Sequence, residues 1–153
     1  MATEDRNLTA LSRDDLVAEV LRLRAGEPPA AETVVERYWA LMATNDFGAV
    51  GTVLADDFVL EWPQSGERIR GRDRYAAMNA AYPAAGRWEF AVHRIVAGDG
   101  QAVSDVTVTD GSRTDRAISF FSVAYGKILR IVEFWPEPFP APEHRRTFVE
   151  PLE

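Results

Sequence analysis

The chain has 153 residues, 46% of them hydrophobic and 27% charged, the balance of one ordinary globular domain. It carries a net charge of −7, no cysteine and two histidines, His93 and His144. Thiol nucleophiles, Cys-ligated zinc, iron–sulfur clusters and disulfides are thereby excluded, and an acidic chain is of the wrong sign for a phosphate backbone. With two distant histidines, no metal site is expected. Lys127 is the only lysine among 17 basic residues, and its place in a turn makes it a poor imine-forming residue. No apolar run nears the roughly 18 residues of a membrane span, and Met1–Ala10 lacks the basic-then-apolar layout of a leader. The expectation is a cytoplasmic protein with neither nucleic acid nor membrane as partner.

Ser12 with Asp15 three residues on reads as a capping box. The helix behind it carries Leu16, Val17, Val20, Leu21 and Leu23 and stops at Gly26 and Pro28-Pro29. A second helix is predicted from Ala31 to Thr44, with Val34, Val35, Tyr38, Leu41 and Met42 at three- and four-residue spacing. Asn45-Asp46 breaks it, and Phe47 to Leu54 reads as a further short helix that Asp56-Asp57 ends. Phe58–Trp62 is a strand, Glu67–Arg70 pairs back on it, and Gly71–Tyr82 is helical with Tyr75 and Met78 on one side.

The second half is strand. Arg87–Ala97, Gln101–Thr109, Arg113–Ala124 and Lys127–Trp135 are rich in Val, Ile, Phe and Thr, and short Gly-bearing turns make consecutive ones antiparallel. Helices first and a meander afterwards give an α+β arrangement: a curved antiparallel sheet packed on N-terminal helices. Residues 1–30 form a helical extension, 31–136 the domain proper, and 137–153 a proline-rich arm. The arm has one turn near His144–Phe148, with Phe139 and Phe148 as its anchors.

Several strings resemble the nuclear-transport-factor-2-like superfamily, the cone fold of SnoaL-like polyketide cyclases and ketosteroid isomerases. They are Arg37-Tyr38-Trp39 through Asp46-Phe47, Leu54-Ala55-Asp56-Asp57-Phe58, Ile69-Arg70-Gly71-Arg72, and Gly126-Lys127-Ile128 through Glu133-Phe134-Trp135. The resemblance implies the cone, a homodimer closed on the outer sheet face where Ile118 and Phe120 lie, and chemistry without a cofactor. It also implies that Tyr38 matches the oxyanion-donating tyrosine of the isomerases and Trp135 an aromatic lining the pocket. The isomerase base falls on Trp62, its second oxyanion donor near Ser119, and the cyclase aspartate on Pro136. Steroid isomerisation by that set of residues is not expected.

Strand parity supplies other candidates, since alternate residues share a face. If Trp135 faces the cavity, Leu129, Ile131 and Glu133 share its side. Ala117, Ser119, Phe121 and Val123 form the matching set on one neighbouring strand, and Val103 and Asp105 on the next. Glu133 and Asp105 are then inward acids beside Tyr38, in a pocket with Met42, Trp62, Met78, Asn79, Ser119, Phe121 and Trp135. A desolvated carboxylate there would move a proton while Tyr38 polarises an oxygen. The reading is an isomerase, cyclase, dehydratase or hydrolase acting on a small apolar oxygenated molecule.

The bland readings stand beside it: a tyrosine reaching a core partner, an acid paired with arginine, tryptophans that merely fill the cone. A binding module without turnover and an assembly domain with a filled cone are the alternatives. His93 and Arg94 compete to face outward. Arg68, Arg70, Arg72 and Arg74 read better as a salt-bridged edge than as an anion clamp.

Overall fold

The computed structural model describes residues 12–152; Met1–Ala10, the Asp15 side of the capping box and the Leu23 side chain lie outside the described residues. Helix α1 (Arg13–Ala25) leaves Leu16, Val17, Val20 and Leu21 exposed in the single chain. Helix α2 (Ala31–Ala43) buries Val34, Val35, Tyr38, Trp39 and Met42 along one face, the stripe that its periodicity predicts. It closes where Thr44 and Asn45 donate backbone N–H groups to Leu41 and Met42. Asn45 then takes a left-handed φ of 61°, a conformation asparagine tolerates better than most residues.

The short helix expected over Phe47–Leu54 is instead a 3-10 turn over Ala49–Val53, and strand β1 (Leu54–Trp62) starts at once. Leu54 pairs with Ile128, and an irregularity between Leu54 and Val59 leaves Asp56 and Asp57 exposed, Asp56 within 3.0 Å of Arg72. The acid pair marks a bulge inside a strand, not the end of an element.

Strand β2 (Glu67–Arg70), helix α3 (Arg72–Ala81), β3 (Glu89–Gly98), β4 (Gln101–Thr109), β5 (Thr114–Ala124) and β6 (Lys127–Phe134) follow. The six strands form one curved, unclosed sheet in the order β2-β1-β6-β5-β4-β3. Asp99-Gly100 and Tyr125-Gly126, all at positive φ, make the tight hairpin turns whose twist matches the strands. The sheet is mixed, not wholly antiparallel, because β1 and β6 run parallel. Short turns force consecutive strands to reverse, whereas most of the domain lies between β1 and β6, long enough for a crossover.

Two bulges decide which side chains face the helices. In β6 the register shifts so that Val123 pairs with Ile128 and Ser122 with Arg130, which expels Leu129. Strict alternation placed Leu129 inward; the structure keeps Ile131 and Glu133 inside and puts Leu129 out. In β3 the shift between Val92 and Arg94 puts both His93 and Arg94 on the outer face, bonded to Thr107 and Asp105. On β4 the buried set is Ala102, Ser104, Val106 and Val108. The expected inward set, Val103 and Asp105, is one residue out of phase. Its apolar positions Ala102, Val106 and Val108 face in with Ser104, while Gln101, Asp105, Thr107 and Thr109 face out with Val103; Ser104, not Asp105, is the partner of the inward Ser119.

Two of the four arginines of that edge are ion-paired, Arg68 on Glu61 at 2.6 Å and Arg72 on Asp56. Beyond Trp135 the arm makes one 3-10 turn, Glu143–Arg145, and Phe139 and Phe148 are exposed in the single chain. Among the described residues no helix is long and apolar enough to cross a membrane.

Candidate functional site

Helices α2 and α3 and the inner face of the sheet enclose a cavity of about 840 Å³. Seven predicted site residues line it: Tyr38, Met42, Trp62, Met78, Asn79, Trp135 and, on the sheet side, Glu133. Two of the predicted pocket residues do not. Ser119 and Phe121 are fully buried behind the wall, Phe121 with its ring edge-on to Tyr38 at 5.4 Å.

Glu133 is the centre of the arrangement. It is 6% exposed, and three strands deliver donors to it. The Trp62 and Trp135 indoles each donate to Oε1 at 3.0 Å, and the Ser119 hydroxyl donates to Oε2 at 2.8 Å. Ser119 reaches it because it is the direct cross-strand neighbour of Glu133, and Ser104 is in turn the neighbour of Ser119. Among the described residues no basic group pairs with this carboxylate. Burial pushes its pKa up, and the three donors pull part of the way back. Oε1 already accepts two hydrogen bonds, so Oε2 is the oxygen with room to take a proton.

The second polar group is a pair of tyrosines. The hydroxyls of Tyr38, on α2, and Tyr75, on α3, are hydrogen-bonded to each other, and Tyr75 also donates to the Met42 sulfur at 3.6 Å. Burial is the main cause that raises both phenols; at Tyr38 the Tyr75 hydroxyl and then the Glu133 charge add to it, and at Tyr75 the Glu133 charge does, so they stay protonated donors. Sulfur is a weak acceptor. A ligand oxygen placed at the pair would therefore take the terminal proton of this chain. Tyr75 was read from sequence only as part of an apolar helix face; its hydroxyl is legible once α2 and α3 are known to meet.

Asp105, the other expected acid, is turned the other way. On the outer face it makes a bidentate pair with Arg116, one arm at 2.7 Å, and lies 3.8 Å from Arg94. The Arg116 contact lowers its pKa. It does not line the cavity that holds Glu133, so the two acids do not form a common site.

Sequence reasoning also missed the mouth. Arg113 lies over the Tyr82 and Trp88 rings, 5.4 and 5.3 Å from their centroids, and 3.4 Å from Asp115. Glu67 and Glu137 stand there too. The segment carrying Tyr82 and Trp88 is tied down at both ends. The Asn45 side chain takes the Trp88 N–H and donates to its carbonyl, both at 2.9 Å. Asp110 accepts from the backbone of Ala85, Ser112 and Arg113, which lowers its pKa to about 2. No group of three or more His, Asp or Glu among the described residues is arranged to hold a metal ion.

An open cone of helices on a curved, unclosed mixed sheet is the fold of the nuclear-transport-factor-2-like class. Residues 35–131 match the SnoaL-like domain, and the chain belongs to that family. A candidate ketosteroid isomerase from Kribbella flavida DSM 17836 is 30% identical, with a TM-score of 0.75 over 80% of this chain and 90% of that one. An NTF-2-like protein of unknown function from Burkholderia xenovorans LB400 is 27% identical, with a TM-score of 0.67 over 80% and 95%. An LEH-like epoxide hydrolase from M. tuberculosis is 25% identical, with a TM-score of 0.58 over 69% and 82%. No curated protein matches the chain.

Proposed function

We propose that the cone binds a small, largely apolar molecule bearing an oxygen function, and that Glu133 moves a proton on it while the Tyr38–Tyr75 pair donates a hydrogen bond to that oxygen. The observation that carries this reading is a buried carboxylate held by three donors, with no cation among the described residues to neutralise it. Burying such a group costs several kcal/mol unless it is compensated, and a neutral acid in its place would pack more cheaply. A carboxylate with a raised pKa is a stronger base than a free one and gives the proton back, and a neutral phenol stabilises the charge that develops on oxygen. The chemistry is proton transfer next to a carbonyl, or general-acid assistance to loss or opening at a C–O bond. Names borne by the Kribbella and M. tuberculosis relatives are consistent with both. The role the isomerase pattern gives to a residue at Trp62 is absent here; Trp62 instead steadies Glu133.

We further infer a homodimer. The outer face presents Val96, Val103, Phe120 and Val132 as one cross-strand row, with Phe120 packed on Phe134 and 46% exposed. An apolar row of this kind on a sheet calls for cover.

The deciding experiment follows allylic isomerisation of β,γ-unsaturated cyclic ketones by the absorbance of the conjugated product. A panel of epoxides and β-hydroxy ketones runs beside it. Turnover in the wild type that drops by about 10²- to 10⁴-fold in Glu133→Gln, with binding retained, is the expected result. Turnover untouched by Glu133→Gln overturns the assignment. Binding with no turnover anywhere in the panel leaves a binding module in its place.

A further inference from the structure

The charges and hydrogen-bond donors around the cavity are unevenly spent. Four carboxylates line it, Glu67, Asp115, Glu133 and Glu137, against one cation, Arg113. That cation is already engaged by Asp115 and lies on two aromatic rings. Among the described residues Glu67, Glu133 and Glu137 have no basic partner. All three belong to one side of the cavity: Glu67 is the ladder partner of Trp62, and Glu137 follows Trp135 by two residues.

The donors point the same way. The indole N–H groups of Trp62 and Trp135 are used by Glu133, and that of Trp39 by Ser104 at 3.0 Å. One Asn79 N–H goes to the Tyr75 carbonyl at 2.9 Å. With those donors spent, the wall offers a ligand aromatic surface and acceptor oxygens, with the tyrosine pair, the second Asn79 N–H and the Trp88 indole as the donors left. Such a surface attracts a cation, through ring faces and carboxylates alike, and repels an anion. Arg113 over Tyr82 and Trp88 shows the same recognition at the mouth, made within the chain itself.

We propose that the ligand of this cavity is an apolar amine, whose ammonium group sits at the mouth between Glu67, Glu137 and the Trp62–Trp135 side while its oxygen function reaches inward. The proposal rests on the proton-transfer reading and narrows its substrate class. It excludes fatty acids, acyl carriers with phosphates and other anionic tails.

The test is isothermal calorimetry on the full chain at neutral pH with three probes that share one ring system: 2-naphthylmethylamine, 2-naphthylmethanol and 2-naphthoate. The amine is expected to bind about tenfold more tightly than the alcohol, the size of a partly desolvated cation–aromatic and cation–carboxylate contact. The acid binds weakest of the three. Raising the salt from about 20 mM to about 0.5 M narrows the gap, because the mouth is open to screening. In the Glu67→Gln/Glu137→Gln variant the amine-to-alcohol ratio falls to about twofold or less. The wild-type series decides alone if that variant does not fold. Equal binding of amine and alcohol, or tighter binding of 2-naphthoate, overturns the charge preference and leaves the proton-transfer reading standing. Failure of all three to bind overturns both.

Discussion

Glu133 has an environment that works in two directions on one proton. Burial favours the neutral acid, while Trp62, Trp135 and Ser119 favour the carboxylate; burial is the larger effect, so the folded pKa lies above the ordinary 4.5. The linkage to stability follows from the sign. Between 4.5 and the raised folded value the native state holds a proton that the unfolded chain has released, so stability is full below that window. It is lost as pH rises through the folded value. Urea titrations across pH are expected to show this decline in the wild type and to show it removed in Glu133→Gln. Trp62→Phe, which takes away one donor to the carboxylate, moves the decline to higher pH. Asp110 acts with the opposite sign: its stabilisation is present above the ordinary 3.8 and is lost as pH falls through about 2.

At the scale of elements, the site depends on the segment between α3 and β3. Its aromatic residues Tyr82 and Trp88 form the mouth, yet the segment has no ladder of its own and is held by side chains from elsewhere. Asn45 serves twice, with its left-handed backbone closing α2 and its amide holding both backbone groups of Trp88. Asn45→Ala is expected to destabilise the fold by about 1–3 kcal/mol in urea unfolding, the cost of leaving such backbone groups unmatched. It is also expected to weaken ligand binding through the displaced indole. Substitution by glycine, which accepts the positive φ, recovers part of the stability and none of the binding.

For the molecule as a whole, the two faces of the sheet have separate duties. The inner face carries the row Ser104, Ser119, Glu133 and the cavity. The outer face carries the apolar row through Phe120, flanked by the pairs of Asp105 with Arg116 and of Glu61 with Arg68 and Arg130. If that row is the seam between two copies, Phe120→Arg sets a charge against its own symmetry mate. Light scattering behind a sizing column is then expected to show a monomer in place of a dimer, with the single-chain fold retained. A wild-type protein that is monomeric at micromolar concentration and above removes the dimer from consideration.

Local pattern alone determined much of this protein. The stripe of α2, the Gly-bearing turns, the span Gln101–Thr109 of β4, the cone family and the pocket positions of Tyr38, Trp62 and Trp135 were all legible. Each depends on chain neighbours or on strings that keep their meaning out of context. Three matters were decided only by tertiary structure. Asp105 faces outward because the pairing of β4 with β5 sets Ser104, not Asp105, opposite the inward Ser119, and a one-residue change of register reverses every face. Leu129 leaves the core because a bulge, which no short-range signal marks, resets the phase of β6. The parallel pairing of β1 with β6, the meeting of Tyr38 with Tyr75, and the Trp62 and Ser119 donors to Glu133 join residues far apart in the chain or on separate strands. Contacts of that range are set by how the elements pack, and packing is a property of the whole chain rather than of any window along it.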